Sequence, residues 1–159
     1  MRARHEPVLL TETIAAWRGG PGLYLDATLG DAGHAEALLV AEPEARLLGC
    51  DRDPHAIAFS RERLSRFGGR VTLAQATFRE LPAAHRAHGG EALAGALLDL
   101  GLSSRQIDDP SRGMSFMTDG PLDLRLNPNR GQPAWEALRD SDAATLARVL
   151  REHGDVRDP

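Results

Sequence analysis

The sequence contains no lysine among its 19 basic residues, and it contains a single cysteine, Cys50. One cysteine excludes an internal disulfide and provides no zinc-binding spacing. No apolar run approaches the roughly 20 residues that cross a membrane, and the N-terminus lacks the apolar stretch of a signal peptide. These absences favour a cytoplasmic protein with no metal and no membrane partner.

The charge balance gives a weaker indication of partners. A net charge of −4 argues against a protein that coats nucleic acid, although it does not exclude a local basic face. The forked guanidinium of arginine is better suited to binding phosphates than the ammonium of lysine. A compositional bias of the source genome is the simpler explanation for the missing lysine, so the arginines alone identify no partner.

Strand-like and helix-like segments alternate through residues 7–100. Their short links predict right-handed crossovers and a parallel sheet. The fourth strand is apolar enough to be buried on both faces, and in a four-stranded sheet it leaves an unpaired apolar edge. A last helix is predicted from a cap at Ser141 to Gly154. The predicted strands are residues 23–27, 45–51, 70–76 and 93–100, and the other predicted helices are residues 7–17, 34–41, 54–67 and 79–88.

The segment from Asp26 to His34 predicts a ligand-binding turn between the first strand and the helix that follows it. Gly30 and Gly33 let backbone amides approach a ligand, and the helix directs its positive end to the same place. Asp51 closes the second strand 21 residues after Gly30, about the spacing at which nucleotide-binding proteins place a carboxylate on ribose hydroxyls. We therefore predict a site for an adenosine-containing cofactor here, with an ordinary strand–helix turn as the alternative.

The kind of cofactor depends on Asp31, which lies between the two glycines. The dinucleotide fingerprint is incomplete, and a carboxylate at this place repels a pyrophosphate. A cationic sulfonium with an amino-acid tail suits the turn better, because Asp26 or Asp31 can meet its ammonium group. An NAD-dependent oxidoreductase stays an alternative, although it should have a fuller glycine fingerprint and a proton donor.

Two further candidates follow later strands. Asp99 lies at the carboxyl end of the fourth strand, facing the crevice where such sheets bind ligands. Beyond it, Ser103 and Ser104 either line the turn or cap a short helix. Phe78 follows the third strand, where an aromatic ring either packs on adenine or belongs to the core.

Two runs of the chain are distinctive: residues 98–104, Leu-Asp-Leu-Gly-Leu-Ser-Ser, and residues 119–125, Asp-Gly-Pro-Leu-Asp-Leu-Arg. Shorter runs at residues 5–10, 26–34, 51–54, 106–109 and 112–116 extend the pattern over nearly the whole chain. Together they resemble the bacterial small-subunit ribosomal RNA methyltransferase H family. The resemblance implies an α/β, Rossmann-like class I S-adenosylmethionine-dependent methyltransferase fold whose parallel sheet is truncated after the fourth strand.

The resemblance also implies an activity and its residues. Members of the family transfer a methyl group from S-adenosylmethionine to the N4 amine of a cytosine in 16S ribosomal RNA, in the small ribosomal subunit. The implied cofactor positions are Ala32 (where the family usually has glycine), Gly33, His34, Asp51, Phe78, Asp99 and Gln106; the residues themselves add Asp26 and Gly30. The catalytic candidates are Asp99 and Ser103. The candidates for RNA contact are Arg105, Arg112 and Arg125, which could equally be salt-bridged within their loop.

Members of the family are longer than this chain, so the resemblance implies an N-terminal half. It predicts a cofactor-binding α/β domain with an incomplete sheet over residues 1–108. Residues 109–159 would then form a glycine- and proline-rich loop and the start of a helical insertion domain. A catalytically inert cofactor-binding fragment is therefore an alternative to an active methyltransferase, and the exposed sheet edge offers a surface for self-association.

Overall fold

The computed structural model describes residues 7–157, and the chain divides after Ser103 into two compact units. Strands and helices alternate in the first unit, as the sequence predicts. Part of the run at residues 5–10 lies outside the described residues. The elements of the first unit are α1 (Leu10–Trp17), β1 (Gly22–Asp26), α2 (Gly33–Ala41), β2 (Ala45–Asp51), α3 (Pro54–Arg63), a 3-10 helix (Ser65–Arg70), β3 (Val71–Gln75), α4 (Leu81–Ala87) and β4 (Leu93–Leu97).

The four strands form one parallel sheet in the order β3-β2-β1-β4. In β1, Leu25 lies opposite Leu48 of β2 on one side and Ala96 of β4 on the other. The chain winds from β1 outwards to β3 and then crosses to the other side of β1. In doubly wound sheets, this change of direction marks the ligand-binding crevice at the carboxyl ends of the strands. The predicted α/β architecture is confirmed.

Both faces of the central strands are covered by packed side chains. On one face, Tyr24 of β1 packs in a cluster with Trp17 of α1 and Leu38 of α2. On the other face, Leu25 packs with Leu48 in a second cluster that also includes side chains of α4. Successive residues of a strand point to opposite faces, so the continuous apolar run of β1 supplies both clusters. This packing holds the carboxyl ends of β1 and β2 in a rigid frame.

β4 departs from the prediction of burial on both faces. Ala94 and Ala96 are exposed, and beyond the strand Leu98 and Leu100 are 51% and 70% exposed. Within residues 7–157, β4 has a strand neighbour only on its β1 side, so it is an edge strand. The burial prediction was wrong because it treated an apolar strand as a central one. The predicted unpaired edge is confirmed, and β4 itself ends at Leu97.

The second unit contains α5 (Ser104–Asp108), a 3-10 helix (Pro110–Arg112), α6 (Ala134–Asp140) and α7 (Ala143–His153). Between these helices, residues 113–133 have no regular structure but are organised around Arg112. The buried guanidinium of Arg112 donates a 3.1 Å hydrogen bond to the carbonyl of Leu126. The backbone carbonyl of Arg112 accepts a 2.9 Å hydrogen bond from the N–H of Leu124. None of the described helices is long and apolar enough to cross a membrane.

The start of α3 follows its sequence signal. The Asp53 carboxylate accepts a 2.9 Å hydrogen bond from the N–H of His55, and Pro54 occupies the first turn, where its missing N–H costs nothing. α3 nevertheless ends at Arg63, and a 3-10 helix carries the chain on to Arg70.

Two other helix predictions were wrong in their starts. α1 begins at Leu10 rather than Pro7, because Leu9 has a left-handed backbone conformation with φ 52°. α7 begins after Asp142, which caps it, rather than after Ser141. α6, which directly precedes Ser141, is a further helix that the sequence pattern does not predict.

Candidate functional site

Three aspartates lie at or just beyond the carboxyl ends of neighbouring strands. Asp26 ends β1, Asp51 ends β2, and Asp99 follows β4 by two residues. Asp26 is buried, with 2% of its surface exposed, whereas the side chain of Asp99 is 57% exposed. Because β1 and β4 are neighbours, Asp26 and Asp99 lie on the two sides of the crevice that the sheet topology defines.

The segment between β1 and α2, residues 27–32, is called the glycine turn below. Gly30 has φ 50° and Ala32 has φ 58°, both in the left-handed region. For a residue with a Cβ this conformation costs about 1–2 kcal/mol, so Ala32 is strained where the resembling family has glycine. α2 starts at Gly33, where a Cβ would collide with the ring of Pro7. The turn is thus a tight and strained entry into α2.

Asp51 fixes the glycine turn from the neighbouring strand. Its Oδ2 accepts a 2.9 Å hydrogen bond from the N–H of Gly30, and its Oδ1 accepts one of 2.9 Å from the N–H of Asp53. Each carboxylate oxygen retains a second acceptor position. Asp51 can therefore hold the turn and still accept a hydrogen bond from a ligand hydroxyl.

The electrostatics of the site favour a cation. Burial raises the pKa of the Asp26 carboxyl to about 7; the N–H of Thr28 opposes the rise, and the charges of Asp51 and Asp99 add to it. Burial also raises the pKa of Asp51, against hydrogen bonds from Asp53 and Gly30. Burial disfavours the ionised form of both carboxyl groups, and a nearby cation favours that form. A positively charged ligand would therefore stabilise both carboxylates.

His34 and Thr28 connect the glycine turn region to Asp99. The His34 ring is buried, with Nδ1 3.7 Å from the Asp99 carboxylate and Nε2 3.2 Å from the carbonyl of Val8. The backbone N–H of Asp99 donates a 2.7 Å hydrogen bond to Oγ1 of Thr28. The backbone at Asp99 is therefore fixed while its side chain stays accessible. The spacing of the sequence does not indicate this contact, because Thr28 and Asp99 are 71 residues apart.

Phe78 lies between β3 and α4 and is 53% exposed. Next to it, the Thr77 hydroxyl and N–H donate hydrogen bonds of 2.9 and 2.8 Å to the Glu80 carboxylate, which fixes the turn. A half-exposed aromatic ring contributes little to the core. The structure therefore does not support the alternative in which Phe78 packs in the core. Its ring keeps the free surface that stacking on a base requires.

Ser103 ends the first unit, and the remaining candidates lie in the second. Gln106 is buried in α5, next to the exposed Arg105. Arg112 is buried and bonded within its loop, as described above. Arg125 donates hydrogen bonds of 2.6 and 2.8 Å to the Asp123 carboxylate, which lower the pKa of that carboxyl. Nε of Arg112 also lies 3.4 Å from the Asp109 carboxylate. Arg112 and Arg125 are therefore both salt-bridged within their loop, which is the alternative to RNA contact.

No group of three or more His, Cys, Asp or Glu side chains within residues 7–157 is arranged to hold a metal ion. Cys50 is a buried free thiol next to the site, and burial raises its pKa to about 11, with the charges of Asp26 and Asp51 adding to the rise. A buried thiol with so high a pKa is a poor nucleophile. The chemistry of the site therefore depends on its carboxylates and backbone.

The doubly wound sheet and its acidic carboxyl edge define a Rossmann-like α/β protein of the class that binds adenosine-containing cofactors. Residues 2–158 match the model of the MraW methylase family, and the chain belongs to this family. Family and fold together imply S-adenosylmethionine as the cofactor.

Curated relatives agree with this assignment, which rests on their sequences. The chain is 43% identical over 98% of its length to ribosomal RNA small subunit methyltransferase H of Beutenbergia cavernae, and covers 48% of that protein. It is 44% identical over 99% of its length to the protein of the same name from Salinispora arenicola, and covers 44% of it. An rRNA methylase from Streptococcus thermophilus has a TM-score of 0.46 and 23% identity, covering 64% of this chain and 57% of that one. The chain spans about half the length of the curated relatives it matches.

Proposed function

We propose that the first unit binds S-adenosylmethionine, and that the complete protein transfers its methyl group to the N4 amine of a cytosine in 16S ribosomal RNA. The observation that carries the cofactor proposal is the burial of Asp26 at the ligand crevice, close to Asp51 and Asp99. Burial raises the pKa of its carboxyl to about 7, and the charges of these two neighbours add to the rise. The names of the relatives support ribosomal RNA of the small subunit as substrate. The resemblance in the sequence supplies the cytosine amine.

The chemistry of the site fits this cofactor. S-adenosylmethionine carries a sulfonium and an ammonium group, and both suit a crevice with buried carboxylates. We assign the methionine end to Asp26, Gly30, Ala32, Gly33 and His34. We assign the ribose hydroxyls to the remaining acceptor positions of Asp51 and the adenine to the exposed ring of Phe78. Gln106, which the resemblance adds to the cofactor positions, lies in the second unit.

When bound, the cofactor would supply an electrophilic methyl group. The bond from the amine nitrogen to the methyl carbon would form as the carbon–sulfur bond breaks, S-adenosylhomocysteine would leave, and the amine would lose one proton. Such an in-line displacement depends on alignment and desolvation. The lone pair of a cytosine amine is delocalised, which makes the amine a poor nucleophile. The Asp99 carboxylate and the carbonyl of Leu100 can accept its hydrogens and turn the lone pair towards the methyl group. Ser103 is the second catalytic candidate. The target base would have to leave its stack to reach this edge of the sheet.

RNA binding is proposed for Arg105, Arg112 and Arg125. The contacts of Arg112 and Arg125 support a part in shaping the loop of residues 113–133, because both guanidinium groups are bonded within it. Arg105 is exposed on α5, whereas Arg112 is buried and Arg125 is half-buried, so Arg105 is the most accessible of the three. We therefore propose Arg105 as the first of the three to test, with Arg105→Met and a filter-binding assay against small-subunit RNA.

The exposed edge of β4 favours a second candidate function for the chain as it stands. Within residues 7–157 no strand lies beside the outer edge of β4, and the exposed Leu98 and Leu100 follow it. Such an edge can pair with the same edge of another copy. We propose self-association through this edge, and a cofactor-binding chain that transfers no methyl group on its own. Sedimentation at increasing concentration tests the association: a constant monomer mass would contradict it.

Two measurements test the proposed function. Calorimetric titration should give binding of S-adenosylmethionine and none of NADH; the reverse result would favour an oxidoreductase. Incubation with labelled S-adenosylmethionine and unmodified small ribosomal subunits then decides the transfer. Label in the RNA would overturn the non-catalytic candidate, whereas binding without label would support it.

A further inference from the structure

Two side chains of α3 bond the backbone of the glycine turn. Ser60, which is fully buried, donates a 2.9 Å hydrogen bond from its hydroxyl to the carbonyl of Gly30. Arg63, one helical turn further on, donates a 2.6 Å hydrogen bond from Nη1 to the carbonyl of Asp31. Two successive peptide groups of the turn are thus fixed by one helix. Neither contact follows from sequence spacing, because the partners are 30 and 32 residues apart.

Arg63 is itself fixed by Glu36 in the first turn of α2. Its Nε and Nη2 donate hydrogen bonds of 2.8 and 2.6 Å to Oε2 of Glu36, and both side chains are only 13% exposed. Hydrogen bonds between such charged groups are among the stronger ones in proteins. Arg63 therefore connects the turn, α2 and α3 through one planar group.

The turn needs such support, because its backbone is strained. Gly30 and Ala32 have positive φ angles, and Ala32 carries a Cβ. Unfavourable backbone conformations persist when the surrounding structure over-determines them. A peptide group is planar, so fixing its carbonyl also fixes the direction of the N–H on the same plane. Ser60 and Arg63 thereby set the direction of the peptide groups that lead into α2.

We propose that Ser60 and Arg63 are positioning residues for the cofactor: they hold the glycine turn in the shape that receives the methionine end of S-adenosylmethionine. This inference rests on the proposed function, since it concerns the same site. It assigns a role to α3, which carries none of the candidate ligand-binding residues. The ribose and adenine contacts depend less on these two residues, because Asp51 keeps its hydrogen bond from Asp53 without them.

The test compares two ligands in Ser60→Ala, Arg63→Met, Arg63→Lys and the control Arg61→Met, which changes an exposed arginine of the same helix. Dissociation constants are measured by calorimetry, at a temperature where circular dichroism finds each variant folded. S-adenosylmethionine should bind about ten-fold more weakly to the first three variants. 5′-Methylthioadenosine, which lacks the amino-acid end, should bind within about two-fold of wild type. Arg61→Met should match wild type with both ligands.

The Arg63→Lys variant separates positioning from charge alone. Lysine keeps a positive charge beside Glu36 but has no planar fork to reach a carboxylate and a carbonyl together. If Arg63→Lys bound S-adenosylmethionine like wild type, the positioning role of Arg63 would be overturned. Equal losses for both ligands in Ser60→Ala and Arg63→Met would also overturn the proposal, since they would indicate a general loosening of the site.

Amide hydrogen exchange provides a readout that needs no ligand. The amides of residues 30–36 should exchange faster in Ser60→Ala and Arg63→Met than in wild type and Arg61→Met. Unchanged exchange would contradict the proposal. If the wild-type chain bound neither ligand, the proposed function would be overturned. If the wild-type chain bound S-adenosylmethionine and the variants bound it equally well, only the positioning role would be overturned.

Discussion

Gly30 and Asp51 are joined by a 2.9 Å hydrogen bond from the backbone N–H of the glycine to the carboxylate. The spacing of 21 residues that predicted a cofactor site therefore corresponds to a direct contact between the two halves of that site. A carboxylate placed to bind ribose also fixes the turn that faces the rest of the cofactor. Loss of Asp51 should consequently affect both ends of the ligand.

Asp51→Asn should weaken binding of S-adenosylmethionine by about ten-fold or more. The backbone N–H groups of Gly30 and Asp53 donate to this carboxylate. In the variant one of them would face an amide NH₂ instead of an acceptor, and hydrogen bonds to charged groups contribute about 1.5–3 kcal/mol each. Calorimetric titration checks this. Glu62→Gln, the same chemical change at an exposed position of α3, is the control. Equal affinities of Asp51→Asn and wild type would contradict the assignment of Asp51.

Asp26 should make the chain less stable as the pH rises. The ordinary pKa of an aspartate carboxyl is 3.8, and burial raises the pKa of Asp26 to about 7 in the folded protein. The folded state therefore holds the proton more tightly than the unfolded state. The protonated carboxyl contributes up to about 4 kcal/mol to the free energy of unfolding. This contribution is complete below pH 4 and is lost as the pH rises to about 7. In urea denaturation, Asp26→Asn should lack this loss. Ala27→Gly, a change at a buried neighbour without a carboxyl group, should shift the stability curve by a constant amount instead.

Binding of S-adenosylmethionine at pH 7 should release protons. A cation beside Asp26 favours its ionised form, and with a pKa of about 7 about half a proton is available per chain. Titrations in two buffers of different ionisation enthalpy measure the release directly. At pH 7 the release should be larger in wild type than in Asp26→Asn by about that half proton. The two proteins are compared at one pH because the ligand's own α-amino group, with an ordinary pKa of about 7.7–8.0, takes up protons when it binds as a cation. Equal release by wild type and Asp26→Asn at pH 7 would exclude this role of Asp26.

Gly113→Ala should disrupt the loop of residues 113–133. Gly113 has φ 63°, and a Cβ there would collide with the backbone of Pro121. Gly131 provides a matched control, because it has φ 77° but no atom within 4 Å of a Cβ. Both variants bear the cost of a left-handed alanine, about 1–2 kcal/mol, but only Gly113→Ala adds a collision. Limited proteolysis should cleave the loop faster in Gly113→Ala than in Gly131→Ala, and equal rates would contradict the packing described.

Local signals predicted the elements that depend on neighbouring residues. The apolar run of β2 gave the observed bounds, Ala45–Asp51, and Asp53 with Pro54 gave the start of α3, because capping acts within one turn. Burial of β4 was predicted wrongly, since exposure depends on which strand lies beside it. The start of α7 was assigned to the wrong residue because Ser141 and Asp142 are both capable caps.

The candidate site divides in the same way. Asp26, Asp51 and Asp99 were found from their positions at strand ends, which a sequence pattern displays. The supporting contacts of Ser60 and Arg63 were not found, because nothing in a helix sequence indicates which carbonyl across the fold its side chains reach. The bonding of Arg112 and Arg125 within their loop likewise depends on a three-dimensional arrangement of residues 113–133.

The buried position of Cys50 makes the chain its own probe of unfolding. The thiol lies in the second strand with none of its surface exposed, and it is the single cysteine of the sequence. A chromogenic thiol reagent can react with it only after the sheet opens. The absorbance change then measures the number of molecules that have opened, because each chain has one thiol. Labelling rates with and without S-adenosylmethionine would therefore report how strongly the ligand slows the opening of the sheet, with no engineered label.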